Sequence, residues 1–135
     1  MSLFFTVPGQ PQGKGRARFG NGRTYTPAKT VAYEGLIALA AQEAMAGRDL
    51  IERPVYLTVT AFFDIPKSWP KARRAKALGS VEWHTAKPDG DNVLKAVGDG
   101  LNGIVWKDDS QIAFSKVIKR YGEKPGLEIT VEALP

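Results

Sequence analysis

The chain has 135 residues, 43% of them hydrophobic and 24% charged, with a formal net charge of +5. This size and composition predict one globular domain spanning residues 1–135. The lack of cysteine excludes a disulfide framework and a thiolate zinc site, and no apolar run is long enough to span a bilayer. Because the N-terminal stretch also lacks the features of a secretory signal, we expect a cytoplasmic protein without a membrane partner.

The first half of the sequence predicts a strand, a loop and a helix. Leu3 to Val7 is a short apolar run that ends at Pro8-Gly9 and is typical of a strand. A loop or hairpin rich in Gly and Arg follows, with Asn21-Gly22 as its turn. Thr26-Pro27 is a helix start, and Gly47 should end that helix after Ala46. We expect its packed face to carry a set of apolar residues: Val31, Leu36, Leu39 and Ala40.

The second half predicts strands and helices that together give an α+β fold. Val55 to Phe63 alternates as a strand does, whereas Ser68 to Leu78 is a basic segment that forms either a helix or a mobile loop. Asp89 to Asn102 has apolar residues at helical spacing. Ile112 to Tyr121 is a strand with room for a bulge, and Leu127 to Ala133 should pair with it as an antiparallel hairpin. We therefore predict a mixed, largely antiparallel sheet with two main helices packed on it.

Charge is distributed unevenly along the chain. All charged residues among the first 33 are cations: Lys14, Arg16, Arg18, Arg23 and Lys29. A second group without acids lies between Asp64 and Glu82: Lys67, Lys71, Arg73, Arg74 and Lys76. Acids gather instead between Asp89 and Asp109. Basic surroundings with an acidic focus indicate a polyanion handled near a metal, although basic loops also serve solubility alone.

The acidic focus begins with KPDGDNVLKAV, residues 87–97. Asp89 is placed to cap the helix and Asp91 falls in its first turn, where carboxylates favour the positive end of the helix dipole. Asp91 and Lys95 are four residues apart and so share one face, and Asp99 extends that stripe. An ordinary helix cap with a surface Asp–Lys pair explains the same residues.

A second acidic pair, Asp108 and Asp109, lies between this helix and the next strand. A helix start and a strand start can meet at one sheet edge, where clustered carboxylates repel one another unless a cation lies among them. Hard oxygen ligands select Mg²⁺, or Mn²⁺ in its place, and Lys95 would then reach a phosphate oxygen or a leaving group. The alternative is a simple turn, which Asp and Ser favour. The lone histidine, His84, is more typical of a structural residue than of a catalytic one.

The stretch KPDGDNVLKAVGDGLNGIVWKDDSQI resembles the RusA family of Holliday junction resolvases. The family pattern has Asp-x-Asp-Asn, a lysine four residues after the second Asp, Asp-x-Leu, and Trp-x-Asp-Asp. This chain supplies each element in order: Asp89, Asp91, Asn92, Lys95, Asp99, Leu101, Trp106, Asp108 and Asp109. The early stretch VPGQPQGKGRARFGNGRTYTP also resembles the family's first strand and basic loop. One departure is Gly90, where a larger apolar residue is commoner, and Gly leaves the position of Asp91 less fixed.

The resemblance implies a homodimeric, Mg²⁺-dependent endodeoxyribonuclease that cuts four-way DNA junctions by paired nicks in recombination and repair. It implies Asp89, Asp91 and Asp109 as metal ligands, Lys95 as a catalytic residue, and no small-molecule cofactor. The roles of Asp99 and Asp108 stay open. Basic residues would grip DNA phosphates: Lys14, Arg16, Arg18, Arg23, Lys71, Arg73 and Arg74. Such a protein would work at the nucleoid, and phage or prophage carriage is common for such families.

Two other functions compete with this one. A non-catalytic DNA-binding protein with a degenerate acidic site would bind junctions without cutting them in Mg²⁺. A phosphotransferase or sugar-nucleotide enzyme of the Asp-x-Asp type would place its first Asp at the end of an apolar strand. Thr85 to Pro88, which precede Asp89, do not form such a strand.

Overall fold

The computed structural model describes all residues, 1–135, as an α+β fold. In chain order the elements are β1 (Ser2–Pro8), β2 (Arg18–Gly20), β3 (Arg23–Tyr25), α1 (Ala28–Met45), β4 (Val55–Phe63), α2 (Lys71–Leu78), α3 (Gly90–Leu101), a 3₁₀ helix (Asp109–Gln111), β5 (Ile112–Tyr121) and β6 (Gly126–Ala133). The main sheet has the strand order β1-β6-β4-β5, and β2 and β3 form a separate hairpin. The prediction of a mixed, largely antiparallel sheet with helices is confirmed.

The predicted hairpin between the last two strands is wrong. β6 lies between β1 and β4, antiparallel to both, and β5 pairs with the other side of β4 in parallel. Burial explains the order, because alternate β4 residues are fully buried and suit the centre, whereas no residue of β5 is fully buried, which suits an edge. Alternation identified each strand but not its partner. The predicted bulge is present, since Val55 pairs with Ile112 and Tyr56 with Phe114, which leaves Ala113 without a partner.

Helix α1 begins one residue later than predicted and packs through a different face. Pro27 occupies the N-cap position, and the helix ends at Met45, before Ala46 in the left-handed conformation. The buried residues are spaced three or four apart: Thr30, Tyr33, Ile37, Ala41 and Met45. The expected face was wrong, because the side chains of Val31 and Leu39 are 56% and 54% exposed. Apolar residues occur on every side of the helix, so their pattern does not decide which side meets the core.

Helix α3 packs against α1 and the sheet, and this contact fixes the acidic end of the helix. Its buried side carries Val93, Val97 and Leu101 as predicted, together with Ala96. Gly100 lets the helices approach closely, because a Cβ atom there would lie 3.0 Å from Cγ2 of Ile37. A Cβ atom on Gly90 would lie 3.6 Å from Cγ1 of Val117. The start of α3 is therefore held above edge strand β5.

The basic segment before α3 is a helix, which settles the choice between helix and loop. Helix α2 contacts β5, and Trp69 before it packs edge-on against Tyr121 with ring centroids 5.1 Å apart. None of the helices combines the length and the hydrophobicity that crossing a membrane requires.

Candidate active site

The first turn of α3 presents two carboxylates to solvent. Asp89 stands at the N-cap position with extended backbone angles, and its carbonyl accepts the Val93 N–H at 3.1 Å. Its side chain makes no capping hydrogen bond. Asp91 lies two residues further along, and both side chains are exposed. The position predicted for Asp89 is therefore correct, but the fold does not use its carboxylate as a cap.

Lys95 and Asp109 lie along the same face of α3 as Asp91. At 100° per residue, positions 91, 95 and 98 point to one side of a helix. Asp109 comes from the 3₁₀ helix and reaches that face, because a Cβ atom on Gly98 would lie 3.6 Å from Oδ2 of Asp109. The helix rise of about 1.5 Å per residue places Asp91 about 10 Å from Gly98 along the axis. Asp109 thus shares a face with Asp91 without touching it.

The acidic residues provide a partial set of metal ligands. No group of three or more His, Cys, Asp or Glu side chains is close enough to hold an ion. Mg²⁺ is commonly held by only one or two carboxylates, with waters and substrate phosphates completing its octahedron. Asp89 and Asp91, two exposed oxygen donors at one helix start, fit that chemistry. The participation of Asp109 stays a prediction.

Asp108 has a structural role that separates it from its neighbour. Its Oδ2 accepts the Ser110 N–H at 3.0 Å, while Oε1 of Gln111 accepts the Asp108 N–H at 3.2 Å, which completes a capping box. Hydrogen bonds from the Ser110 side chain and N–H lower the pKa of Asp108. Gln111 also donates to the Ile51 carbonyl at 2.7 Å. These bonds fix the turn from which Asp109 projects.

Asp99 likewise belongs to the architecture, through an ion pair that sequence reasoning missed. Nζ of Lys14 donates to Oε2 of Glu34 at 2.6 Å and lies 3.0 Å from Oδ2 of Asp99. Burial opposes the charge on Lys14, but the hydrogen bonds to Glu34 and Asp99 outweigh it and raise the Lys14 pKa. Lys14, which was predicted to contact nucleic acid, ties the basic loop to α1 and α3 through these pairs, and its nucleic-acid contact stays a prediction.

Two glycines allow this loop to enter between the helices. A Cβ atom on Gly13 would lie 2.9 Å from Cβ of Asn92, and one on Gly15 would collide with Oγ1 of Thr30. The Lys14 N–H donates to the Asn92 carbonyl at 3.0 Å, and the Gly15 N–H donates to the Thr30 hydroxyl at 3.1 Å. The Gly-Lys-Gly sequence was the available signal, because flanking glycines permit close backbone approach.

The loop forms one wall of a groove of about 840 Å³ that adjoins the acidic site. Its cations are Lys14, Arg16, Arg18, Lys29 and Lys87, and it is also lined by Pro88, Asp89 and Asn92 at the start of α3. Of the residues predicted to grip nucleic acid, Arg16 and Arg18 face this groove without an ion pair in the structure. Arg23 lies outside it, on exposed strand β3. The groove is therefore rich in cations and adjoins the start of α3.

The cations of α2 differ from those of the loop. Arg73 forms a two-pronged bond with Glu82 at 2.9–3.2 Å and lies 3.5 Å from the ring centroid of Trp69. Its hydrogen bonds lower the Glu82 pKa. Arg74 donates to the Pro66 carbonyl at 3.1 Å. Of the three α2 residues predicted to grip DNA, which are Lys71, Arg73 and Arg74, only Lys71 is both exposed and in no ion pair. Helix α2 therefore uses its arginines to hold its own segment.

His84 is part of an aromatic stack. Its ring lies 3.6 Å from that of Phe63 at an angle of 7°, and it meets Tyr121 edge-on at 5.2 Å. Desolvation, together with the charge of Lys119, lowers the His84 pKa to about 4. The ring is thus neutral near pH 7, and its Nδ1 is buried without a hydrogen-bond partner. This environment suits the structural role that the sequence favoured.

Comparison with known proteins identifies the group to which this arrangement belongs. The profile of the endodeoxyribonuclease RusA family matches residues 8–132. That span contains the basic loop, all of α3 and the Asp108-Asp109 turn. The uncharacterized protein YqaN of Bacillus subtilis (strain 168) is 37% identical over 133 residues, covering 94% of this chain and 93% of that protein. The chain therefore belongs to the RusA family of endodeoxyribonucleases, hydrolases that act on the phosphodiester bonds of DNA.

Proposed function

We propose that this endodeoxyribonuclease resolves four-way DNA junctions by paired nicks, as a Mg²⁺-dependent homodimer in recombination and repair. One observation carries the proposal: a groove rich in cations ends at a helix start whose carboxylates are exposed and in no ion pair. Cations along the groove attract the sugar-phosphate backbone. Carboxylates placed in such a path repel the same backbone unless a divalent ion joins them.

The residues of the site divide the chemical work. Arg16, Arg18 and Lys87 hold the strand through its phosphates and steer it toward α3. Asp89 and Asp91 would hold Mg²⁺, or Mn²⁺ in its place, and Asp109, the third predicted ligand, lies further along the same face of α3. When bound, the ion supplies Lewis-acid activation of water and neutralises phosphate charge. Lys95, one turn beyond Asp91, donates a hydrogen bond to a phosphate oxygen or to the leaving oxygen.

Junction substrates favour a two-fold assembly, because two equivalent strands must be cut. The outer face of α1 is the apolar surface that we assign to a second copy, with Val31 and Leu39 both more than half exposed. Leu39→Glu should convert a dimer to a monomer in light scattering after gel filtration. Leu50→Glu places the same charge at an exposed leucine outside α1 and should leave the dimer intact. A Leu39→Glu protein with the wild-type mass would contradict this interface.

The experiment that tests the function uses labelled four-way junction, duplex and flap DNA, each with and without Mg²⁺ or Mn²⁺. We expect symmetric paired nicks in the junction only when the ion is present, with little cutting of duplex. Junction binding that the ion never converts into cleavage would instead support the non-catalytic DNA-binding alternative. We place the activity in the cytoplasm at the nucleoid, where branched DNA arises.

A further inference from the structure

A second pocket lies on the other side of the first turn of α3. It has a volume of about 650 Å³ and is lined by α3, edge strand β5 and the segment before α3. Besides the stacked ring of His84, its walls carry a tryptophan, two cations and a carboxylate of the candidate active site: Trp83, Lys119, Arg120 and Asp91. The catalytic function described above uses Asp91 but leaves the rest of this pocket without a role.

Trp83 is the unusual residue of this pocket. Its side chain is 52% exposed, whereas the other two tryptophans are less exposed: Trp106 is fully buried and Trp69 lies against Arg73 and Tyr121. The guanidinium of Arg120 lies 5.2 Å from the Trp83 ring centroid. A large, half-exposed aromatic ring beside a cation is the combination that binds nucleobases and their phosphates in single-stranded DNA.

The first turn of α3 is a ridge between the two clefts. Asp89 and Asn92 lie on the groove side, while Gly90 and Asp91 line the pocket. A strand whose backbone follows the basic groove would cross this ridge at the carboxylates, and its next nucleotide would lie over the pocket. A base stacked in duplex has neighbours on both faces, so only an unstacked base can enter such a site.

We propose that this pocket binds an unpaired nucleobase next to the cut phosphate, stacked on Trp83, with Arg120 contacting the adjoining phosphate. The inference rests on the proposed function, because a branch point supplies the unstacked base. Lys119 is already engaged, since its Nζ donates to the Ala86 carbonyl at 2.7 Å, which leaves Arg120 as the phosphate contact. The pocket would thereby select branched or distorted DNA over continuous duplex.

The test is a double-mutant cycle that combines a change in the protein with a change in the DNA. The measured quantity is the affinity for a four-way junction in the absence of divalent metal. Four-way junctions with a single abasic nucleotide at each position near the branch point are compared with the intact junction by fluorescence anisotropy. Stacking on one aromatic residue predicts that Trp83→Ala weakens binding of the intact junction about tenfold. One abasic position should weaken wild-type binding equally, and Trp83→Ala should cost nothing more on that DNA. The proposal would be overturned if, at every abasic position, the loss of affinity caused by Trp83→Ala multiplied with the loss caused by the missing base.

Two further variants keep the result interpretable. Trp83→Phe retains an aromatic face and should keep most of the affinity, while Val81→Ala, at an exposed neighbour, should behave as wild type. Equal losses in Trp83→Phe and Trp83→Ala would contradict stacking. The binding cycle does not require cleavage. If Trp83→Ala costs no further affinity on one abasic junction, but the wild-type protein does not nick junctions, the proposed catalysis is refuted and this site stands. If the protein nicks junctions normally, but the losses from Trp83→Ala and from the abasic nucleotide multiply at every position, this site alone is refuted.

Discussion

The two ends of helix α3 carry similar charged residues in opposite environments. At the start, Asp89, Asp91 and Lys95 are exposed and belong to none of the ion pairs of the structure. Near the end, Asp99 pairs with Lys14, and Leu101 is fully buried. The same contrast separates Asp109, which is in no ion pair, from Asp108, which caps its own turn.

This contrast suggests which charges the fold needs and which it leaves available. Exposed charges without partners contribute little to stability, so Asp89, Asp91 and Lys95 have no evident structural purpose. Paired charges such as Asp99 and Lys14 join segments distant in sequence and hold the groove in shape. The first half of α3 therefore carries the residues proposed for catalysis, and the second half carries residues that hold the fold together. Substitutions in the first half should lower activity, and substitutions in the second half should lower stability.

The largest expected effect is at the exposed end. Asp91→Asn should lower the single-turnover nicking rate by about 10³-fold, the scale of losing a principal electrostatic stabiliser. Junction affinity should stay equal or improve, because a negative charge near phosphate is removed. The free energy of unfolding should fall by no more than about 0.3–1 kcal/mol, the scale of a first-turn carboxylate's interaction with the helix dipole, since Asp91 takes part in no ion pair. Quenched-flow nicking, anisotropy and urea unfolding measure the three quantities.

Asp99→Asn is the matched control for that variant. It makes the same chemical change on the same helix, where the carboxylate pairs with Lys14. We expect it to lose stability and to keep most of its nicking rate. An Asp91→Asn protein that nicks at the wild-type rate would place the active site elsewhere, and an inactive but stable Asp99→Asn protein would erase the division between the two ends.

The next effect concerns the two lysines. Lys95→Ala should lower the nicking rate by about 10²-fold, as expected for loss of a positioned hydrogen-bond donor to the transition state, with a much smaller change in affinity. Lys116→Ala, at an exposed residue of β5, removes the same charge away from the face of Asp91. Parallel losses of rate and affinity in Lys95→Ala would reduce Lys95 to a phosphate anchor.

A smaller effect, on stability, is expected at the paired end. Lys14→Met should lower the free energy of unfolding by about 1–2 kcal/mol, because Glu34 and Asp99 lose a hydrogen-bonded, half-buried partner. Since the Lys14 pKa is raised in the fold, this stabilisation is complete below the ordinary lysine pKa of 10.5 and is lost as the pH rises through the raised value. Urea unfolding of Lys14→Met, Asp99→Asn and the double variant gives the coupling free energy between Lys14 and Asp99. Strictly additive losses would mean that the pair does not stabilise the fold.

The sequence predicted the elements of the fold better than their neighbours. Alternation in β4 and helical spacing in α3 are local properties, and both elements formed as expected. The partner of β6 depends on competition among whole strands for the buried centre of the sheet, which no single segment encodes. For α1, apolar residues on every side left the packed face undecided, and the exposed face of Val31 and Leu39 was mistaken for the core face.

The sequence predicted which residues belong to the candidate site better than it predicted the contacts that those residues make. Motif spacing placed Asp89, Asp91, Lys95 and Asp109 on adjoining elements, yet it could not separate Asp109 from Asp108. That distinction depends on the hydrogen bonds of Ser110 and Gln111. Likewise, composition is enough to identify a basic run. The ion pairs of Lys14 depend instead on long-range packing of the loop between two helices, which composition does not show.

The smallest expected effect is a pH dependence at His84, which extends the contrast between engaged and free groups to the aromatic stack. The His84 pKa falls from 6.5 to about 4 in the fold, so the unfolded chain takes up its proton at higher pH than the folded protein. Its contribution to stability is therefore complete above pH 6.5 and lost as the pH falls toward 4. Because His84 is partly exposed and solvent screens its charge, the loss should be about 1 kcal/mol or less.

His84→Phe isolates this effect, because phenylalanine can stack on Phe63 but cannot titrate. His84 is the single histidine of the chain, and the carboxylates titrate in both proteins. The difference between their free energies of unfolding, measured in urea from pH 8 to pH 4, should be constant at high pH and shift in favour of the variant below about pH 6.5. A difference that stays constant over the whole range would show that His84 is as free to accept a proton in the fold as in the unfolded chain, and that the stack does not exclude water from its ring.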